Sequence, residues 1–237
     1  MRVEPFTAED FVHVYNRGNR QMPIVNNETD NWRFLKILRY FNSNYYPKNI
    51  FRTIDPLIKS GDLKLFQWPK NWPEQNPLVK IIAYCLMPNH FHLLLKEIIK
   101  GRISKFMQRF GTAFTRYIDI KYDEVGRVFQ GAYKGKTIKG EAENLHYLDV
   151  YIQVFNPMEL YPGGIEKALK EFDQAFEFVL NYPFSSLGES FGKRKMGIID
   201  RDILGEVFPD LKIYKEFTHD ALIVRNIREI LGKLIIE

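Results

Sequence analysis

The chain has 237 residues, of which 45% are hydrophobic and 15% aromatic, and a formal net charge of +5. That supplies a core of ordinary size, and the mild basic excess suits a nucleic-acid partner without demonstrating one. A single cysteine, Cys85, excludes an internal disulfide or a multi-cysteine metal centre and points to a reducing compartment. No apolar run approaches the ~20 residues of a membrane span, and Met1 to Asp10 carries acidic residues where a signal peptide is apolar, so a cytoplasmic protein with no membrane partner is expected.

In chain order, Phe11-Val12-His13-Val14-Tyr15-Asn16-Arg17-Gly18 alternates and ends in a turn signal, so a strand is predicted. Asn26 to Asp30 supplies N-cap candidates for a helix reaching about Phe41, with Trp32, Leu35, Ile37, Leu38 and Phe41 at helical spacing. Residues 45–77 are long for a connection and rich in Asn, Pro, Lys, Tyr and Trp. A short helix over Ile54 to Ser60 is predicted inside this insertion, and its aromatics either stack on unpaired bases or pack on their own domain. Ile81 to Met87 then reads as a buried strand, Met87-Pro88-Asn89 as a tight turn, and His90 to Leu95 as the returning strand. Period-two alternation puts His90 and His92 on one face and Phe91 and Leu93 on the other, and two imidazoles so placed can ligate one divalent metal.

A helix opens at Gly101 to Ser104, with an apolar stripe from Phe106 to Ile118 and a basic face of Lys105, Arg109, Arg116 and Lys121. Tyr117 lies on the stripe and reads as core. The glycine-rich, basic segment Gly126 to Ile138 carries Arg127, Lys134 and Lys136 and contains a last strand over Tyr133 to Lys139. A helix from about Glu141 to Phe155 stops before Pro157. Another is predicted over Ile165 to Leu180, a linker over Gly188 to Lys195, and a final basic helix over Thr218 to Glu237 with Arg225, Arg228 and Lys233.

Three segments, in order, resemble the single-tyrosine HUH transposases, in the style of those associated with REP elements. Met87-Pro88-Asn89-His90-Phe91-His92-Leu93-Leu94 is similar to the family's His-hydrophobic-His motif. Phe129-Gln130-Gly131-Ala132-Tyr133-Lys134 resembles a segment in which arginine is common where Ala132 stands, and Tyr151-Ile152-Gln153-Val154-Phe155-Asn156-Pro157 resembles the tyrosine motif. The likeness runs from about Phe11 to Ser186, closing on Asn181 to Ser186 with Phe184 in place of tryptophan. It implies an α+β fold, a ferredoxin-like or RRM-like antiparallel sheet with helices on one face. The expected division is a transposase-like domain over residues 1–187 and a C-terminal helical extension over 188–237.

The same resemblance implies a divalent metal ion (Mg²⁺ or Mn²⁺) on His90 and His92, with Tyr151 as nucleophile. It implies single-stranded or hairpin DNA as partner, held by Arg17, Arg109, Arg116, Arg127, Lys134 and Lys136, and a homodimer acting at the nucleoid. His13 is placed to neighbour the metal site if its strand pairs with the second histidine strand. Asn156, the third-ligand candidate, follows Tyr151 by five residues where the family spacing is four. Either a helix bulge absorbs the extra residue, or Gln153 or another group substitutes; Tyr147, one turn from Tyr151, is the rival nucleophile. The expected activity is DNA nicking and strand transfer through a 5′-phosphotyrosine. Ala132 and the shifted Asn156 favour a second reading, a binding module that has lost catalysis, and a hydrolase using activated water is a third.

Overall fold

The structure is a computed structural model and describes residues 6–123, 125–138 and 142–232. Four strands form one antiparallel sheet in the order β2-β3-β1-β4: β1 is Phe11–Arg17, β2 Val79–Leu86, β3 His90–Glu97 and β4 Lys134–Thr137. The β2–β3 hairpin turns at Pro88-Asn89 as predicted, and β1 pairs with β3 in a register that sets Tyr15 opposite His92 and Arg17 opposite His90. β4 continues the sheet with Lys136 opposite His13 and Lys134 opposite Tyr15. The predicted Lys139 end of this strand and the predicted Glu141 start of the next helix lie outside the described residues.

Alternation then sorts the side chains. Val12, Val14, Phe91, Leu93 and Leu95 face α1 (Glu28–Phe41) and α3 (Arg102–Tyr122), where Phe34 packs edge-on to Phe110 and Phe114. Asn27 caps α1 by accepting from the Asp30 amide. Asp30, itself buried, accepts from Tyr117, Tyr122 and Lys121 of α3 at 2.7, 2.6 and 2.5 Å. Burial raises its pKa, but these bonds outweigh that and hold it down at about 2. Lys121 therefore ties two helices together.

The expected helical layer on one face is α1 with α3; the structure adds a second layer on the other face. There α4 (Ala142–Val150), a π-helical segment Tyr151–Phe155 and α5 (Asn156–Met158) pack on Ile82, Ala83, Cys85 and Leu94. The helix predicted over Ile165 to Leu180 is two, α6 (Gly164–Lys170) and α7 (Phe172–Asn181), broken at Glu171 with φ −109° and ψ 45°. The stretch predicted as a linker opens with a short helix, α8 (Leu187–Ser190). The predicted final helix is interrupted: α9 (Asp202–Val207) precedes α10 (Leu211–His219), a second π-helical segment Asp220–Val224, and α11 (Ile227–Leu231). Asn226, at φ 49°, breaks the run, and Lys233 to Glu237 lie outside the described residues.

The insertion holds α2 (Ile50–Ser60), and its aromatics pack on the protein itself. Trp68 meets Trp72 edge-on at 5.0 Å and stacks on Tyr40, while its indole donates to the Pro73 carbonyl. That places the Trp68 and Trp72 rings against protein instead of presenting them to bases. Among the described residues no helix is long and apolar enough to cross a membrane.

Candidate active site

The sheet face under the second layer carries His13, Tyr15 and Arg17 from β1, His90 and His92 from β3, and Lys134 and Lys136 from β4. The period of two puts them together once β1 lies beside β3. His90 and His92 are buried, with ring centroids 5.1 Å apart at 87°. Burial drives the His90 pKa down to about 4 and that of His92 well below its usual value, aided for His92 by His13, so both imidazoles are neutral at pH 7. His13 Nε2 and His92 Nδ1 meet at 2.8 Å, which leaves the His92 Nε2 for another partner.

The hydrogen bonds around His90 define its tautomer. Its Nδ1 lies 2.7 Å from Asn89 Oδ1, an acceptor only, so Nδ1 carries the proton. Asn89 is oriented in turn by its amide nitrogen donating to the Gln21 carbonyl. The unprotonated Nε2 then faces Asn156 Oδ1 at 3.4 Å, and Asn156 is oriented by its Nδ2 donating to the Tyr151 carbonyl at 2.7 Å. Two lone-pair donors therefore point at one another across a buried gap, an arrangement that a cation between them relieves.

Asn156 reaches this place through the π-helical segment. Its backbone amide donates to the Tyr151 carbonyl, five residues back, so the extra residue of the motif is absorbed within the helix. Pro157 has no N–H to give the Gln153 carbonyl, which accepts instead from the Ser185 hydroxyl at 2.8 Å. Gln153, the alternative ligand, points elsewhere: its side chain donates to Asp149 and accepts from Ser186 and Ser190. Phe155, at the family's usual spacing, stacks on the Tyr151 ring at 5.7 Å and 16°.

Tyr151 stands over the histidines, its ring 5.5 Å from His92 and 6.5 Å from His13, edge-on to both. Burial, reinforced by the Glu159 carboxylate, pushes its pKa up to about 12. Tyr147 is directed into the C-terminal segment, its hydroxyl accepting from Arg225 and its ring against Phe217. Two residues of the Tyr151 surroundings had no motif to announce them. Glu159 pairs with Arg228 at 3.4 Å, and the Arg228 guanidinium lies 4.8 Å over the Phe155 ring.

The basic residues divide. Arg17 lines a groove of about 410 Å³ with Asn16, Gly131, Ala132 and Lys134, and its buried Nε has no hydrogen-bond partner among the described residues. Lys134 and Lys136 lie 5.9 and 5.5 Å from the centre of the Tyr15 ring. Arg116 and Arg127 are exposed. Arg109 is not brought to this face: it donates to the Ser43 carbonyl at 2.7 Å and covers the Tyr46 ring at 4.1 Å, fastening the insertion to α3.

Among the described residues no group of three His, Cys, Asp or Glu is arranged as a metal site. Two imidazoles and a carboxamide oxygen are nevertheless a donor set that Mg²⁺ or Mn²⁺ accepts.

Residues 70–154 match the family model for IS200-like transposases. The match starts within the insertion, takes in both histidines, α3 and β4, and ends between Tyr151 and Asn156. It bears out the resemblance to the single-tyrosine transposases. No curated protein matches the chain. Among solved structures, that of a REP-associated tyrosine transposase bound to a REP hairpin is similar, with a TM-score of 0.47 and 15% identity, covering 85% of this chain and 88% of that one.

Proposed function

We propose that this chain, IS200-transposase-like over residues 70–154, nicks single-stranded DNA and transfers the strand through a covalent 5′-phosphotyrosine on Tyr151. The observation that carries this reading is the position of the Tyr151 ring, 5.5 Å from His92, beside the opposed lone pairs of His90 Nε2 and Asn156 Oδ1. His90, His92 and Asn156 would hold a divalent ion, Mg²⁺ or Mn²⁺, which supplies charge stabilisation at the scissile phosphate. The Tyr151 oxygen, once deprotonated, forms a bond to phosphorus as the bond to the 3′-oxygen breaks. The products are a DNA end held on Tyr151 through its 5′-phosphate and a free 3′-hydroxyl, and attack by another 3′-hydroxyl reverses the step. The energy of the phosphodiester stays in the covalent link, so the transfer requires no nucleotide cofactor.

Arg17, Lys134 and Lys136 sit on the same face and would track the backbone phosphates, with the unpaired Arg17 Nε free to meet one of them. Exposed Arg116 and Arg127 suit more distant phosphates of a hairpin. Arg109, engaged with Ser43 and Tyr46, drops out of the binding set. The proximity of Tyr151 and His92 within one chain supports attack in the same subunit, in a homodimer acting on nucleoid DNA in the cytoplasm. A second reading, a hairpin-binding module without catalysis, draws on the depth of Tyr151 and the height of its pKa.

Covalent capture separates the two. The full chain is mixed with Mn²⁺ and 3′-labelled single-stranded hairpin DNA from the flanks of its own gene, then run on a denaturing gel. A metal-dependent adduct is expected, lost in Tyr151→Phe and His90→Ala and retained in Tyr147→Phe. An adduct that survives Tyr151→Phe removes that residue as nucleophile, and binding with no adduct establishes the binding module.

A further inference from the structure

A second cavity, of about 400 Å³, opens between α3 and the segment 129–133, and Asn16, Gly131 and Ala132 line both it and the groove beside Arg17. The two spaces are therefore neighbours with a shared wall. Tyr151 and the histidines do not line the second cavity, and the proposed reaction gives it no role. Its inner side is apolar: Phe91, Met107 and Phe110 are buried, and Phe129 stands edge-on to Phe91 at 5.7 Å and 80°. On the other side Gln108, Thr112 and Thr115, spaced four and three residues apart on α3, present amide and hydroxyl groups.

Gly111 lies in the middle of this wall. A glycine inside a helix costs roughly 1 kcal/mol against alanine, so a packing reason is the ordinary explanation. Here there is none: nothing lies within 4 Å of where its Cβ would be, and its φ is not one that favours glycine. Gly131, on the facing wall, likewise has nothing within 4 Å of a Cβ position. Ala132, where the related segment commonly has arginine, adds to the same open space. Three small residues thus keep open a slot with an apolar floor and a hydrogen-bonding rim.

We propose that this slot receives one unpaired nucleobase of the bound DNA strand, whose phosphates lie in the adjoining groove along Arg17 and Lys134. The inference rests on the DNA-binding reading above. A flat heteroaromatic ring suits the apolar floor, polar ring edges suit Gln108, Thr112 and Thr115, and the attached phosphate suits the buried, unpartnered Arg17 Nε at the shared wall. Asn16 shapes that wall by donating to the Gly131 carbonyl at 3.0 Å.

The test is an abasic scan. Affinities of the full chain are measured for the flanking hairpin oligonucleotide and for copies with one abasic site at each unpaired position in turn. One position is expected to weaken wild-type binding by about tenfold. Gly111→Leu, which fills the slot, should weaken binding of the intact oligonucleotide by a similar factor and abolish the penalty at that one position. Its melting temperature reports the fold, and Ala132→Arg fills the slot from the other wall should Gly111→Leu fail to fold. An abasic penalty undiminished in a folded slot-filling variant overturns the proposal. So does a wild type that forms the covalent adduct yet is indifferent to every abasic position, an outcome that leaves the nicking reading intact. A wild type that binds none of the oligonucleotides overturns both.

Discussion

His13 meets the site at His92, whose Nδ1 its Nε2 approaches at 2.8 Å, the rings nearly parallel at 19°. Both rings are buried, so the contact fixes which nitrogen of His92 remains available and holds the ring plane. That is the part an outer-shell partner plays, and losing one typically costs ten- to a hundredfold in metal affinity. His13→Phe keeps an aromatic ring in the space and removes the bond. The Mn²⁺ concentration for half-maximal adduct formation should rise by roughly that factor, with maximal adduct at saturating metal nearly unchanged. A midpoint that stays where it was would make His13 a packing residue. The bond at His90 acts in the same way from the other side, since Asn89 sets the tautomer that leaves Nε2 facing Asn156.

The π-helical segment is the element on which the site turns. In an α-helical register Phe155 would occupy the place one turn after Tyr151; the wider turn gives that place to Asn156 and leaves Phe155 stacked on the tyrosine. Asn156→Ala should therefore weaken the metal response of the adduct. Gln153→Ala should leave the metal midpoint where it is and lower the melting temperature. It takes one hydrogen-bond partner each from Asp149, Ser186 and Ser190 in the interior, at a cost of about 1–3 kcal/mol. A metal midpoint shifted by Gln153→Ala and not by Asn156→Ala would reverse the two roles. The histidine hairpin was legible because strand alternation, a Pro-Asn turn and an apolar run are local signals. The π-turn was half legible. Pro157 visibly withholds a hydrogen bond from Gln153, but the Ser185 hydroxyl that replaces it lies 32 residues away. The same limit explains Arg109 and the tryptophans of the insertion, whose residue types suit DNA and whose partners turn out to be Ser43, Tyr46 and one another. The breaks at Glu171 and Asn226 leave no strong mark either, since neither is a proline or a glycine.

For the whole molecule, the C-terminal segment completes the core behind Tyr151. Leu204, Phe208, Tyr214, Leu222, Ile227 and Leu231 are buried in one cluster with Leu148, Tyr151 and Ile152. Asp149 is enclosed there, beside Gln153, Ser190, Arg201 and Tyr214. Burial pushes its carboxyl up to about 7, against an ordinary ~3.9, although Gln153 donates to it at 2.6 Å. The folded chain therefore keeps a proton that the unfolded chain has already released. The stability it contributes is full below about pH 4, falls as pH rises, and is lost once pH passes about 7. About three pH units of offset correspond to an upper bound on the order of 4 kcal/mol, which for a chain of this size is on the order of 10 °C of melting temperature. Asp149→Asn keeps an oxygen for Gln153 and cannot ionise. Its melting temperature relative to wild type should climb from pH 5 to about pH 7 and level off by pH 8, a window that avoids the acid loss expected from Asp30, whose pKa is held at about 2. The climb should vanish in a double variant that also carries a truncation before α9, because the enclosure that raises the carboxyl is then gone. A difference between Asp149→Asn and wild type that stays flat from pH 5 to pH 8 would mean that water reaches Asp149 past the C-terminal helices.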